Sequence, residues 1–237
     1  MTGKIVAIFG NMVVAQTSGK VIQNSTAYCR RADGASLLSE VIRVRGSLAD
    51  LQVFEETRGL KVGDQVDFQD QMLSVMLGPG LLGQIYDGLQ NPLPRLAEKV
   101  GYFLEPGEYI NGLDSDIQWE FTPTAEVGAT IHGGEQLGTV PENMFTHKIM
   151  APFTLSGPAT VKSIVSAGAY TVDDPIAVLT DEKGNEIEVK MQQPWPVKKA
   201  LMVCRRRLMP TEPLSTRVRI IDTMFPIVKG GTYCIPG

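Results

Sequence analysis

The sequence predicts a mainly β chain: a small N-terminal β-barrel, an inserted β-sandwich-like module, and then the first elements of an α/β domain. Three observations carry this. Short apolar runs divided by Gly, Asn and Asp follow one another from Gly3 to Met76 and again beyond Leu113. Proline pairs, Pro92/Pro94 and Pro194/Pro196, stand outside both ends of the second group, as expected where a chain leaves one domain and later returns. A helical stripe with spacings of three and four shows only near the end, at Val218, Ile221 and Phe225.

In the first region, residues 1–76, Ile5–Phe9 and Met12–Ala15 flank Gly10-Asn11, and Ala32-Asp33-Gly34 divides Tyr28–Arg31 from the long run Leu37–Arg45. These read as hairpins. Gly46 breaks the long run before Leu51–Phe54, and Gly63-Asp64 turns the chain into a further strand. Closely spaced strands of this kind bury their edges best by closing into a barrel. The next region, 77–113, opens on "LGPGLLGQIYDGLQNPL". Its glycines match neither G-x-G-x-x-G nor G-x-x-x-x-G-K-[ST], so it is not a phosphate loop. Pro92 and Pro94 are read as blocking a helix there.

The inserted module is placed at 114–189, with a charged hairpin turn at Asp181–Glu186 around Gly184. Its order of turns faintly resembles the halves of a biotinyl or lipoyl carrier, in which a hairpin displays a modified lysine. The only lysine near the equivalent turn, "PENMFTHKIMAP", is Lys148, which lacks the usual flanking residues and is read as preceding the strand. His132 and His147 have no spaced Cys, His or acidic companions and read as surface or packing residues, not metal ligands. From 190 to 237 the chain runs through Trp195, a packing anchor between prolines, to the helical stripe, then Lys229-Gly230-Gly231, a strand at Thr232–Ile235, and Pro236-Gly237. Helix, glycine turn, strand and glycine are the start of an α/β domain.

Composition narrows the function classes. With 43% apolar and 20% charged residues the chain can bury a core, and a net charge of −4 provides no global field for nucleic acid or anionic lipid. The local run Arg205-Arg206-Arg207 reads as a solvated face or an acidic-partner contact. Cys29, Cys204 and Cys234 are odd in number and far apart, which supports neither a disulfide framework nor a Cys-x-x-Cys site and fits a reducing cytosol. No apolar run approaches the roughly 20 residues that cross a bilayer, so no direct membrane insertion is expected.

At "PLSTRVRIIDTMFPIVKGGTYCIPG" the sequence closely resembles the segment leading into the phosphate-binding loop of the catalytic A subunit of V-type and archaeal A-type rotary ATPases. "GPGLLGQIYDGLQNPL", "HKIMAPFTLSG" and "QQPWPV" resemble further landmarks of that family, in the same order. The resemblance implies that the α/β elements begin a nucleotide-binding domain, and that Gly237 is the cofactor-binding first glycine of a G-x-x-x-x-G-K-[ST] loop cut at its lip. It implies ATP and Mg²⁺ in the full-length protein, with no catalytic side chain in this part. It also implies B subunits alternating with this one in a hexamer, central and peripheral stalk subunits, and a cytoplasmic position tied to the membrane through the complex. ATP hydrolysis or synthesis would be coupled to proton or sodium transport. One departure is visible: where the family commonly has Thr-Gly-Gln-Arg, this chain has Thr216-Arg217-Val218-Arg219, so the local turn is expected to change. The alternative reading is a carrier or protein-binding β module.

Overall fold

The computed structural model describes residues 1–101, 103–200 and 208–236. It comprises two compact units, 1–200 and 201–237. The first unit opens with β1 (Thr2–Phe9), β2 (Met12–Thr17), β3 (Ser25–Arg30), β4 (Ser36–Arg45), β5 (Leu48–Val53) and β6 (Gln65–Met72). They form a closed antiparallel barrel in the order β1-β2-β5-β4-β3-β6, sealed by Thr2↔Asp67, Gly3↔Val66 and Lys4↔Gln65. The expected hairpins are present: Phe9 pairs with Met12 across Gly10-Asn11, and Arg30 pairs with Ser36. Register shifts between Ile5 and Ala7 and between Val41 and Arg43 insert extra residues, which bend the strands enough to close the sheet.

The barrel interior is filled by residues such as Ile5, Val13, Leu37, Val41, Leu51 and Phe68, all buried. Cys29 lies among them, and burial pushes its thiol up to about 11, with Asp64 adding a smaller push and Ser39 opposing. It therefore behaves as a small apolar residue and not as a nucleophile. Cys204 and the Arg205-Arg206-Arg207 run lie outside the described residues.

After the barrel come β7 (Ser74–Leu77), the glycine-rich segment, and α1 (Leu93–Val100). The helix corrects the expectation that Pro92 and Pro94 forbid one. Pro92 is its N-cap and Pro94 stands in the first turn, where no backbone N–H is needed; the prolines end a helix only on their N-terminal side. The helix stops at Gly101, whose φ of 82° lies in the left-handed region that glycine alone enters freely.

The segment expected to form the inserted module contains β8 (Trp119–Pro123), β9 (Thr130–Ile131), β10 (Gln136–Glu142), β11 (Phe145–Met150), β12 (Ala159–Ile164), β13 (Gly168–Tyr170), β14 (Pro175–Asp181) and β15 (Glu186–Lys190). They make two four-stranded sheets, β11-β10-β8-β13 and β15-β14-β12-β9. Leu137, Val161, Leu179 and Val189 fill one apolar cluster, and Phe121, Val140, Ile149 and Ile176 fill another. The chain then returns as β16 (Gln193–Pro196), which pairs with β7, placing Trp195 opposite Val75. Trp195 is the expected packing anchor: it is buried, and Phe153 meets its ring edge-on at 5.4 Å.

The second unit holds β17 (Pro213–Leu214), α2 (Arg219–Met224) and β18 (Ile227–Val228), with β17 paired to β18. The strand expected at Thr232–Ile235 is not formed. A strand needs a ladder partner, and among the described residues none pairs with these four.

Candidate functional site

The glycine-rich segment between β7 and α1 is held almost entirely by its own side chains and by its neighbours. Gln90, itself at φ 66°, places its amide so that Oε1 accepts the Met76 N–H and Nε2 donates to the Met76 carbonyl, both at 2.7 Å. This side chain satisfies a strand edge as another strand would. Asp87 accepts the amides of Leu89 and Asn91 at 2.9 and 2.8 Å, and the buried Asn91 in turn accepts the Ile110 amide at 2.9 Å. Gly78 is required by closeness: a Cβ there would sit 2.9 Å from Leu113 Cδ1 and 3.2 Å from the Met191 carbonyl.

The same geometry explains why this segment is not a phosphate cradle. Such a cradle offers unpaired backbone N–H groups to an anion. Here the Gly80 and Leu82 amides, at 2.6 and 3.4 Å, already point at the carboxylate of Glu142, a buried residue at the end of β10. The cleft beside the segment, about 540 Å³, is bordered by Glu55, Glu56, Asp87 and Glu105, charges that oppose a polyphosphate. Burial pushes the Glu55 carboxyl up, against the hydrogen bonds it accepts from the Gly107 amide and from Tyr109.

In the second unit the turn that leads into α2 is organised by Asp222. Its carboxylate accepts the Thr216 amide at 2.9 Å, the Thr216 hydroxyl at 2.6 Å and the Arg217 amide at 3.0 Å. The Thr216 side-chain bond leads the causes that hold this carboxyl below its usual range. The clamp is therefore complete above the ordinary carboxylate pKa and is released as pH falls through the lowered folded value. Arg217 has φ 63°. This is the left-handed region that glycine enters freely, and here an arginine accepts the strain. Arg217→Gly relieves it, and we expect exchange of the Thr216 amide to slow about threefold, read by hydrogen–deuterium exchange. Gly237 itself lies outside the described residues.

Lys148 does not precede the strand: it is inside β11, opposite Thr139, while the hairpin tip is Asn143-Met144. A modified lysine is reached at a turn, so the carrier reading loses its geometric basis. His132 is exposed, 3.5 Å from Glu135 Oε2. His147 is not a bare packing residue, because its Nδ1 lies 2.6 Å from Glu142 Oε2. Among the described residues no group of three or more His, Cys, Asp or Glu is gathered as for a metal. No helix among them is long and apolar enough to cross a membrane. Sequence reading does not find Glu142, whose partners Gly80 and Leu82 are 62 and 60 residues away in the chain, or Asp222, whose nearby Ser215-Thr216 pair is a usable signal.

The chain thus consists of a closed barrel, two four-stranded sheets and a strand, β16, that comes back to pair with β7. The ATP synthase alpha/beta family beta-barrel domain matches residues 5–69, and the ATP synthase alpha/beta subunit barrel-sandwich domain matches 110–198. The chain belongs to the ATP synthase alpha/beta family. Its similarity within the family is to V-type alpha chains: 55% identity to the V-type ATP synthase alpha chain of Treponema denticola over 235 residues, 99% of this chain and 40% of that one. Alpha chain 1 of Treponema pallidum is 52% identical with the same coverage, and the alpha chain of Borrelia recurrentis is 49% identical, covering 99% of this chain and 41% of its own. The chain thus spans about two fifths of the length of these relatives.

Proposed function

We propose that this chain is the N-terminal, non-catalytic part of the catalytic A subunit of a V/A-type rotary ATPase or ATP synthase. What supports the reading most is that similarity to V-type alpha chains runs through 99% of the chain, barrel and module included. In this role the barrel builds the collar of a hexamer in which B subunits alternate with A subunits. The inserted module projects outward as a contact for stalk subunits. Gly237 is the first glycine of the phosphate loop, and ATP and Mg²⁺ are held by residues that follow it in the relatives' longer chains. The complex sits at the cytoplasmic side of a membrane and couples nucleotide chemistry to proton or sodium transport.

The barrel suits such a collar physically. A closed sheet has no free edge strand to recruit unwanted partners, so its contacts with neighbours are made by side chains on a rigid wall. The phosphate loop and its lysine supply most of the positioning and charge stabilisation in phosphoryl transfer. The chain of 237 residues alone should therefore give no saturable heat with Mg-ATP in titration calorimetry. Saturation at micromolar nucleotide would mean a site within these residues and would overturn the assignment of ATP binding to the longer protein.

A further inference from the structure

Glu142 is the one carboxylate buried inside the module's hairpin, only 2% exposed, and all its described partners lie on other elements or across the hairpin. Its Oε1 accepts the Gly80 amide at 2.6 Å, and its Oε2 lies 2.6 Å from His147 Nδ1. Buried carboxylates are stable only when each oxygen is paired, and pairs with charge on one side are roughly twice as strong as neutral ones. The arrangement therefore joins three stretches at one point: the glycine-rich segment, the end of β10, and β11. Gly80 has φ 101°, a region that glycine enters freely, so its own backbone does not fix it there and the contact with Glu142 is what defines its position. A Cβ at Gly80 would also lie 3.3 Å from Trp119 Cζ2, which brings β8 to the same place. The tip of the hairpin, Met144 and Phe145, is 87% and 59% exposed and stands two and three residues beyond Glu142.

We infer that the Glu142–His147 pair is a latch that couples the inserted module's hairpin to the glycine-rich segment, so that the hairpin's position sets the backbone of residues 80–82. Glu142 is a positioning residue, and His147 orients it: the imidazole fixes one carboxylate oxygen so that the other faces Gly80. A load on the exposed tip would reach the segment at the barrel's exit through this one carboxylate. The latch is a property of the geometry and stands whether or not the chain serves a rotary ATPase; the calorimetric test above bears on that reading alone.

Hydrogen–deuterium exchange of the whole chain tests it. In Glu142→Ala the Gly80 and Leu82 amides should exchange at least about tenfold faster, while barrel amides such as Val13 keep their rates. His147→Ala should speed the same two amides by a smaller factor, and His147→Asn, whose side-chain amide reaches the place of Nδ1, should restore them. Unchanged exchange at Gly80 and Leu82 in Glu142→Ala overturns the latch. So does an acceleration spread evenly over module and barrel, or a His147→Asn variant that behaves like His147→Ala. Should Glu142→Ala fail to fold, the two His147 variants decide the matter by themselves.

Discussion

Gly138→Ala should destabilise the inserted module by about 3 kcal/mol while leaving the barrel's stability unchanged. Gly138 is buried in β10, opposite Ile149 and Pro123, and a Cβ there would lie 2.3 and 2.4 Å from the Phe121 ring and 2.7 Å from the Thr122 carbonyl. None of these can give way easily. Phe121 is 1% exposed and packed edge-on against Tyr170 at 6.3 Å, and Thr122 is fixed by its ladder. Overpacking of this kind costs about 3 kcal/mol, roughly a hundredfold in the folding equilibrium. Urea unfolding followed by circular dichroism should show the loss, and peptide-level exchange should confine it to the module.

Leu51→Ala should do the reverse. Leu51 is fully buried in β5, between Val13 of β2 and Val41 of β4. A closed barrel has no edge that can move inward to fill a void, so the expected loss is about 3 kcal/mol, within the range for buried leucine truncation. Exchange should rise across β1–β6 and stay unchanged in β12, β14 and β15. The two variants together test our proposal that residues 114–189 fold as a module apart from the barrel, although both belong to the compact unit 1–200. If either substitution melts both regions together, that division is wrong.

The parts of the fold that could be read in the sequence are those whose cause is local. Gly10-Asn11, Ala32-Asp33-Gly34 and Asp181–Glu186 are turns whose residues fit the backbone they form, and each lies where expected. Barrel closure was inferable from strand spacing, but the β3–β6 contact was not, because residues such as Tyr28 and Asp67 that meet there share no sequence signal. Helix α1 is illegible as long as proline is taken only as a breaker, because in the first turn it costs the helix nothing. The side chains of Thr232–Ile235 suit a strand, but side-chain type does not supply the partner a ladder requires. The site followed the same rule. The motif around Arg217 was visible as a departure from a pattern, whereas the Glu142 contact depends on the hairpin and the glycine-rich segment meeting across the fold.

The central claim, that this chain is collar and module of an A-type subunit, is tested most directly by its company. The gene's product, tagged and purified from its source under gentle conditions, should be weighed by native mass spectrometry. The account predicts a hexamer in which it alternates with a B-type subunit in equal number, with stalk subunits attached. A product found as a free monomer, or carrying biotin or lipoate on Lys148 and bound to none of those subunits, would contradict it.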